Sequence, residues 1–350
     1  MQLNSASNLV FTWLGSPIPA YAKKSIKLNL LYARSRIYII TDVDNIERIL
    51  HTWPAKLVSR ITLLNASEFY SPPQYLDRIQ YFGSKDFRSG FWLRTFERFF
   101  LLNAFLASQR LDSFFHAELD NICFNLCELQ SLLDAQPANA FFVRDNLHRA
   151  VLSLAYFSSA TALDQLIAYI LSLPEDHRFN DMHDLGQFLC AEPAGVSILP
   201  NESALLSSPL WDCLNPNQIG GICDGNSLGQ YLLGLDPLIS SNLLNLFRNE
   251  NLYFPLEKAK FCHVRLKSQN YPQFTFQQFP GLQVDPSIKP VTIYNLHIHS
   301  KDFFWLSNLF LQRILFMLVN NSIPLPVFTP ASLVFRIKRA VRNKISLFQK

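Results

Sequence analysis

Short apolar runs alternate with helically periodic segments through the first half of the chain. That alternation leaves few folds open. NLVFTWL at 8–14 reads as a buried strand, stopped by the loop signal Gly15-Ser16-Pro17-Ile18-Pro19. RIYIIT at 36–41 reads as a second strand, ended by Asp42-Val43-Asp44-Asn45 and followed by a helix from Ile46 to Trp53. Leu57 to Leu64 reads as a third. Residues 91–110 carry Phe96, Phe100, Ala104 and Ala107 on one helical stripe. SFFHA at 113–117 is a short strand running into Glu118-Leu119-Asp120-Asn121, and another strand near 151–157 precedes helices near 161–173 and 180–190. The pattern predicts an α/β fold with a mostly parallel sheet flanked by helices, whose ligands sit beyond the carboxyl ends of the strands. Residues 255–300 read as a β excursion closing on VTIYNLHIHSK, and 302–320 as an apolar helix.

Composition removes several function classes. At 49% hydrophobic residues, with 30 Phe, the 350-residue chain is neither disordered nor fibrous. No run of eighteen apolar residues lacks charge, so no transmembrane helix is expected, and the N-terminus has no basic and apolar leader pattern. Cysteines 123, 127, 190, 213, 223 and 262 form no CxxC and read as reduced thiols of a cytoplasmic protein. The net charge of +4 is concentrated: residues 331–350 hold six basic residues and no acid, leaving −2 for the rest. A near-neutral body argues against nucleic acid as a partner.

Three clusters carry candidate chemistry. Glu118 and Asp120 lie two apart just past a strand, a spacing that puts both carboxylates on one side of extended backbone, where they suit a hard divalent cation. A solvated turn would show the same pattern. Asp42-Val43-Asp44 shares the spacing, but Asp44 is expected to cap the helix that follows. His297-Ile298-His299-Ser300-Lys301 follows a strand-like run and would put two imidazoles and a lysine on one face if the strand continues. Imidazole completes divalent sites and lysine neutralises phosphate; two ordinary strand-end histidines are the alternative. The segment from Asp224 to Asp236 is Gly-rich, acidic and amide-bearing, which suits sugar hydroxyls, although Asp224 could simply cap a helix, as Asn180 is expected to.

In this order the pieces resemble the GT-A fold nucleotide-sugar glycosyltransferases, of the kind that build bacterial capsule and lipopolysaccharide. Phe11-Thr12-Trp13-Leu14-Gly15-Ser16-Pro17-Ile18-Pro19 looks like their W-x-G-x-P-x-P opening. Trp92-Leu93-Arg94-Thr95-Phe96-Glu97-Arg98, followed by His116-Ala117-Glu118-Leu119-Asp120, looks like the helix before their DxD metal motif. The late His-x-His-Ser-Lys stretch resembles a C-terminal metal and diphosphate ligand. The resemblance spans roughly 8–302 and departs from the pattern at Glu118, where the family carries Asp.

The resemblance implies a GT-A-like catalytic domain at 1–302 and C-terminal helices at 303–350. Phe11, Trp13, Gly15, Thr41 and Asp42 would hold the nucleotide, with Arg94 on the donor. Arg98, four residues on, would either join it or form a structural ion pair. Glu118, Asp120 and His297 or His299 would bind Mn²⁺ or Mg²⁺, and Lys301 the phosphate. Transfer from a nucleoside-diphosphate sugar to a glycan or lipid-linked acceptor, if inverting, needs a base, for which Asp224 and then Asp236 are the candidates. A transferase-like binding protein without catalysis is the competing expectation. In the tail, Val334, Ile337, Val341, Ile345 and Phe348 recur at helical spacing among the basic residues. That pattern suits either an anionic membrane surface, making the protein peripheral, or docking on its own domain.

Overall fold

The computed structural model describes residues 6–81, 90–205, 209–233, 259–266, 269–276 and 291–304, with a few single positions beyond. Asp236, most of 302–320 and the basic tail lie outside them. Residues 302–304, inside the expected apolar helix, are irregular instead.

A seven-stranded sheet organises the molecule. Its order is Val196–Leu199, Ala140–Asn146, Arg149–Phe157, Phe114–Ala117, Ser7–Trp13, Ser35–Thr41, Ile61–Asn65. Neighbours are parallel except Arg149–Phe157, which runs antiparallel to both strands beside it. The expected α/β class, mostly parallel and flanked by helices, is therefore observed. Period-2 alternation feeds two cores, one on each face. Phe114 joins Val10, Phe96, Phe99 and Phe105 on one side, while its neighbour Phe115 joins Leu9, Phe11, Ile26 and Tyr156 on the other. Such Phe side chains have essentially no exposed surface, and burying each contributes about 1.5–3 kcal/mol. The central strands are covered on both faces, which is why they read as unbroken apolar runs.

Two sequence expectations are corrected. Leu57–Leu64 is not one strand: Pro54 starts a short helix, Ala55–Val58, and the strand is Ile61–Asn65. The second helix runs Val43–Thr52 from Asp42, so Asp44 lies in its first turn and not at the cap.

The long helix Phe91–Gln109 crosses one face of the sheet, with Phe96, Phe99 and Phe105 pointing inward and Arg98 buried among them. A smaller four-stranded sheet joins Gly221–Ile222, Val291–Ile293, Gln269–Phe276 and Ala259–Leu266. Its strand Val291–Ile293 leads straight into Asn295–His297, which pairs antiparallel with Asn121–Cys123 and sets His297 opposite Asn121. This pairing carries the late histidine segment to the end of the strand that bears the carboxylates.

Candidate functional site

Asn121–Cys123 begins directly after Glu118-Leu119-Asp120, so the antiparallel pairing fixes where His297 can lie. The Asp120 carbonyl accepts the Ile298 N–H at 2.7 Å and anchors the two main chains to each other. The Asn295 and Asn121 side chains hydrogen-bond at 2.9 Å with no exposed surface, which locks the register. One ligand atom each from Glu118, Asp120 and His297 then lies within 4.8 Å of the others. His297 Nε2 is 3.3 Å from Asp120 Oδ2 and 3.4 Å from Glu118 Oε2.

Further contacts orient each group. His297 Nδ1 lies 3.0 Å from the Gly225 carbonyl, so that nitrogen carries a proton and Nε2 is the atom turned to the carboxylates. Asp224 is wholly buried, and its two oxygens accept the main-chain N–H groups of Leu228, Gly229 and His297 at 3.0, 2.8 and 2.9 Å. It therefore caps the helix Ser227–Leu233 and ties His297 to that helix. Gly229 is required there, since a Cβ would collide with the His297 carbonyl. Lys301, held at φ 57°, bonds through Nζ to Asp120 Oδ2 and lies over the Tyr21 ring.

Charges in this cluster shift one another. Burial drives the Asp120 carboxyl up, but Lys301 and His297 outweigh it and hold the group well below the usual carboxylate range. Burial pulls the His297 imidazole down, yet the Asp120 and Glu118 charges win and raise it to about 9. His299 packs on His297 with ring centroids 4.1 Å apart. Burial, then the charges of His297 and Lys301, push it well below the ordinary histidine value, and its ring lies outside the three-residue group.

Arg98 reaches the same place from the long helix. Its guanidinium donates to Glu118 Oε1 at 2.6 Å and to Asp181 Oδ2 at 2.7 Å, with all but 7% of the residue buried. The structural ion pair, the second option for Arg98, is thus what forms, and its partner is the carboxylate of the suspected metal motif. Asp181 opens the helix Asp181–Cys190, which Asn180 caps as expected by accepting the Met182 and His183 N–H groups. Removing Arg98 would strand the buried Asp181 carboxylate and leave the partly exposed Glu118 without its nearest cation. Arg98→Met is therefore expected to lower the unfolding free energy by about 3–5 kcal/mol in urea denaturation. A loss under about 1 kcal/mol would show that the triad is not needed to balance charge.

The expected nucleotide residues lie at the neighbouring strand ends, where most of them tie the loop together. Thr41 Oγ1 donates to the Trp13 carbonyl at 2.5 Å, the Gly15 N–H donates to Asp42 Oδ2 at 2.6 Å, and Trp13 Nε1 donates to the Ser16 carbonyl at 2.9 Å. Asn45, not singled out from sequence, bridges Ile18 N–H and Ser16 carbonyl. Phe11 has no exposed surface and sits inside a core, out of reach of a nucleotide. Arg94 pairs with Glu97 and lies against Gly15, so it faces the loop.

Glu202 was not foreseen. It follows the edge strand Val196–Leu199, is 2% exposed, and its carboxyl is raised to about 8 by burial and then by the Asp224 and Asp145 charges. Nothing in the run Pro200-Asn201-Glu202-Ser203 marks it, because only the fold puts those acids beside it.

No protein-family model matches this chain, and no curated protein matches it. Among solved structures it is similar to mouse xyloside xylosyltransferase 1, at 11% identity and TM-score 0.38 over 56% of this chain and 86% of the other. It is similar to the galactosyltransferase LgtC at 12% identity and TM-score 0.34, over 55% and 73%. A cytidylyltransferase from Leptospira borgpetersenii serovar Hardjo-bovis stands at 10% identity and TM-score 0.34, over 56% and 76%. Glycosyltransferases of the GT-A type are thus among the solved structures that the chain resembles. At these identities and scores the likeness says nothing about which reaction it performs.

Proposed function

We propose that this chain is a glycosyltransferase that moves a sugar from a nucleoside-diphosphate donor to a glycan or lipid-linked acceptor. The observation that supports it is the meeting of Glu118 and Asp120 with His297, 177 residues beyond Asp120 in the sequence, at the end of a parallel strand. The two carboxylate oxygens and one imidazole nitrogen form an oxygen-rich donor set that suits Mn²⁺ or Mg²⁺, and Nε2, on losing its proton to the ion, is the nitrogen His297 would present. A cation held by these three residues would supply Lewis-acid stabilisation of the departing diphosphate. In this reading, Arg98 fixes Glu118 so that its other oxygen faces His297. Lys301 provides a second positive charge for phosphate, and the loop tied by Thr41, Asp42 and Asn45 flanks the nucleotide. Asp224 is a positioning residue, since main-chain donors already use both of its oxygens.

A second reading has its own support. Arg98 already neutralises Glu118 and Lys301 already neutralises Asp120, so the cluster is also a closed set of ion pairs, as a non-catalytic nucleotide-sugar or glycan binder could keep. A thermal-shift panel of UDP, GDP and CDP, each with and without Mn²⁺ and read beside donor turnover, separates the two. The transferase reading expects one nucleoside diphosphate to stabilise the protein only with Mn²⁺, by about 2.7 kcal/mol at a hundredfold excess over its dissociation constant. Such stabilisation without turnover of any matching donor sugar favours the binder, and no response to any nucleotide removes the transferase reading. The lipid-linked acceptor and the anionic membrane surface rest on the sequence of the tail. No described helix is long and apolar enough to cross a membrane.

A further inference from the structure

Residues 1–41 hold five basic residues, Lys23, Lys24, Lys27, Arg34 and Arg36, and no acid. Three of the five stand on the helix Ala22–Tyr32, which buries Ala22, Ser25, Ile26, Leu28, Asn29 and Tyr32 against the sheet. Lys23, Lys27 and Leu31 follow one another at four-residue spacing, and Lys24 lies one turn before Lys27. All four therefore point away from the buried side. At one end of this face Lys23 donates to the Thr52 carbonyl at 3.1 Å, and at the other the exposed Arg60 donates to the Leu30 carbonyl at 3.4 Å. Those two cations thus bond to main chain there and not to a carboxylate. Lys24 Nζ stands 5.4 Å from the centre of the Phe304 ring. The charge of Asp302 acts on Lys24 and offsets one of the four cations. Amid them, Leu31 is 52% exposed and Phe304 44%.

A net positive face calls for an anionic partner, and the apolar side chains select which one. A phosphate backbone offers nothing to an aliphatic group such as Leu31, whereas a bilayer takes up apolar side chains just below its headgroups. We infer that the outer face of the helix Ala22–Tyr32, together with Arg60 and Phe304, docks on an anionic phospholipid bilayer. Lys23, Lys24, Lys27 and Arg60 meet the headgroups, and Leu31 and Phe304 enter the layer beneath them. This surface is separate from the basic tail. It adjoins the candidate site, because Tyr21, directly before the helix, stacks on Phe303 at 5.9 Å and has Lys301 Nζ 5.8 Å from its ring centre. Docking therefore holds Lys301 and its partner Asp120 close to the lipid surface. The inference holds whether or not the chain transfers sugar.

Sedimentation with vesicles tests it on the full-length protein, with the tail intact in every variant. The vesicles are phosphatidylcholine containing about a third phosphatidylserine, and the bound fraction is followed against lipid concentration. The natural chain is expected to bind them and to ignore pure phosphatidylcholine. Each cation near such a surface strengthens binding about fivefold, so the triple variant Lys23→Gln, Lys24→Gln, Lys27→Gln should bind roughly a hundredfold more weakly. Leu31→Gln, at an exposed position, should lose roughly three- to tenfold. A matched triple, Arg78→Gln, Arg110→Gln, Arg178→Gln, removes equal charge from exposed positions on the other face of the sheet. Their neighbours Leu76, Leu106 and Phe179 join one core, whereas Ala22 and Ile26 join the other. That triple should change binding less than about threefold, because charges far from the lipid are screened. Thermal melts accompany each variant, and Leu31→Gln alone decides if the lysine triple melts early. No binding by the natural chain, undiminished binding by the lysine triple or by Leu31→Gln, or an equal loss in the matched triple would overturn the inference. Binding of single-stranded RNA through the same three lysines, without binding to vesicles, would overturn it in favour of a nucleic acid.

Discussion

Replacing Asp120 by Asn is expected to lower sugar transfer by roughly 10²–10³-fold while the protein stays folded. The carboxylate is the junction of the site, since one oxygen faces both His297 Nε2 and Lys301 Nζ. Removing its charge takes away an anionic ligand, and Lewis-acid stabilisation of a leaving group amounts to several kcal/mol, with each 1.36 kcal/mol a factor of ten. The fold should tolerate the change. Asp120 holds its place through its main-chain carbonyl, which accepts the Ile298 N–H, and the amide keeps the shape of the side chain. Donor turnover across a set of UDP- and GDP-sugars, read beside a thermal melt of the same variant, tests it. Unchanged turnover would remove the metal assignment.

Glu202 governs an effect of similar size on stability. Its carboxyl is raised to about 8 in the folded protein, first by burial and then by the Asp224 charge, whereas in the unfolded chain it titrates near 4.3. Between those values the folded state keeps a proton that the unfolded state has released. Stability from this group is therefore complete below about pH 4.3 and is lost as pH rises toward 8, at up to about 1.4 kcal/mol per pH unit. Glu202→Gln stays neutral throughout. The variant is expected to gain on the natural protein as pH rises from 5 to 8, by roughly 3–4 kcal/mol over that range. Parallel urea-denaturation series across that range measure the difference. A constant offset between the two proteins would show that Glu202 is ionised in the fold at neutral pH.

The sequence made much of the framework legible for a simple reason. Leu9-Val10-Phe11, Ile37–Ile40 and Phe114-Phe115 are apolar on both alternating sets of positions, and only a strand covered on both faces can bury both sets. The helix at 91–109 was legible from its 3.6-residue period, and Asn180 from its cap chemistry. The antiparallel direction of Arg149–Phe157 was not, because an apolar strand carries no mark of its neighbour's direction. Asp44 misled for a local reason: the helix starts one residue before it, directly after Asp42, and helix boundaries are poorly coded in sequence.

For the site, residue type and spacing alone nominated Glu118, Asp120, His297 and Lys301, because carboxylates two apart at a strand end share a side wherever that strand lies. Tertiary structure alone decided the rest. It set His297 beside the carboxylates through the pairing with Asn121–Cys123, paired Glu118 with Arg98, and bonded the Asp224 carboxylate to the His297 N–H. Those outcomes depend on contacts between residues far apart in the chain, whose strengths come from burial and from mutual charge. Neither quantity exists until the strands have paired.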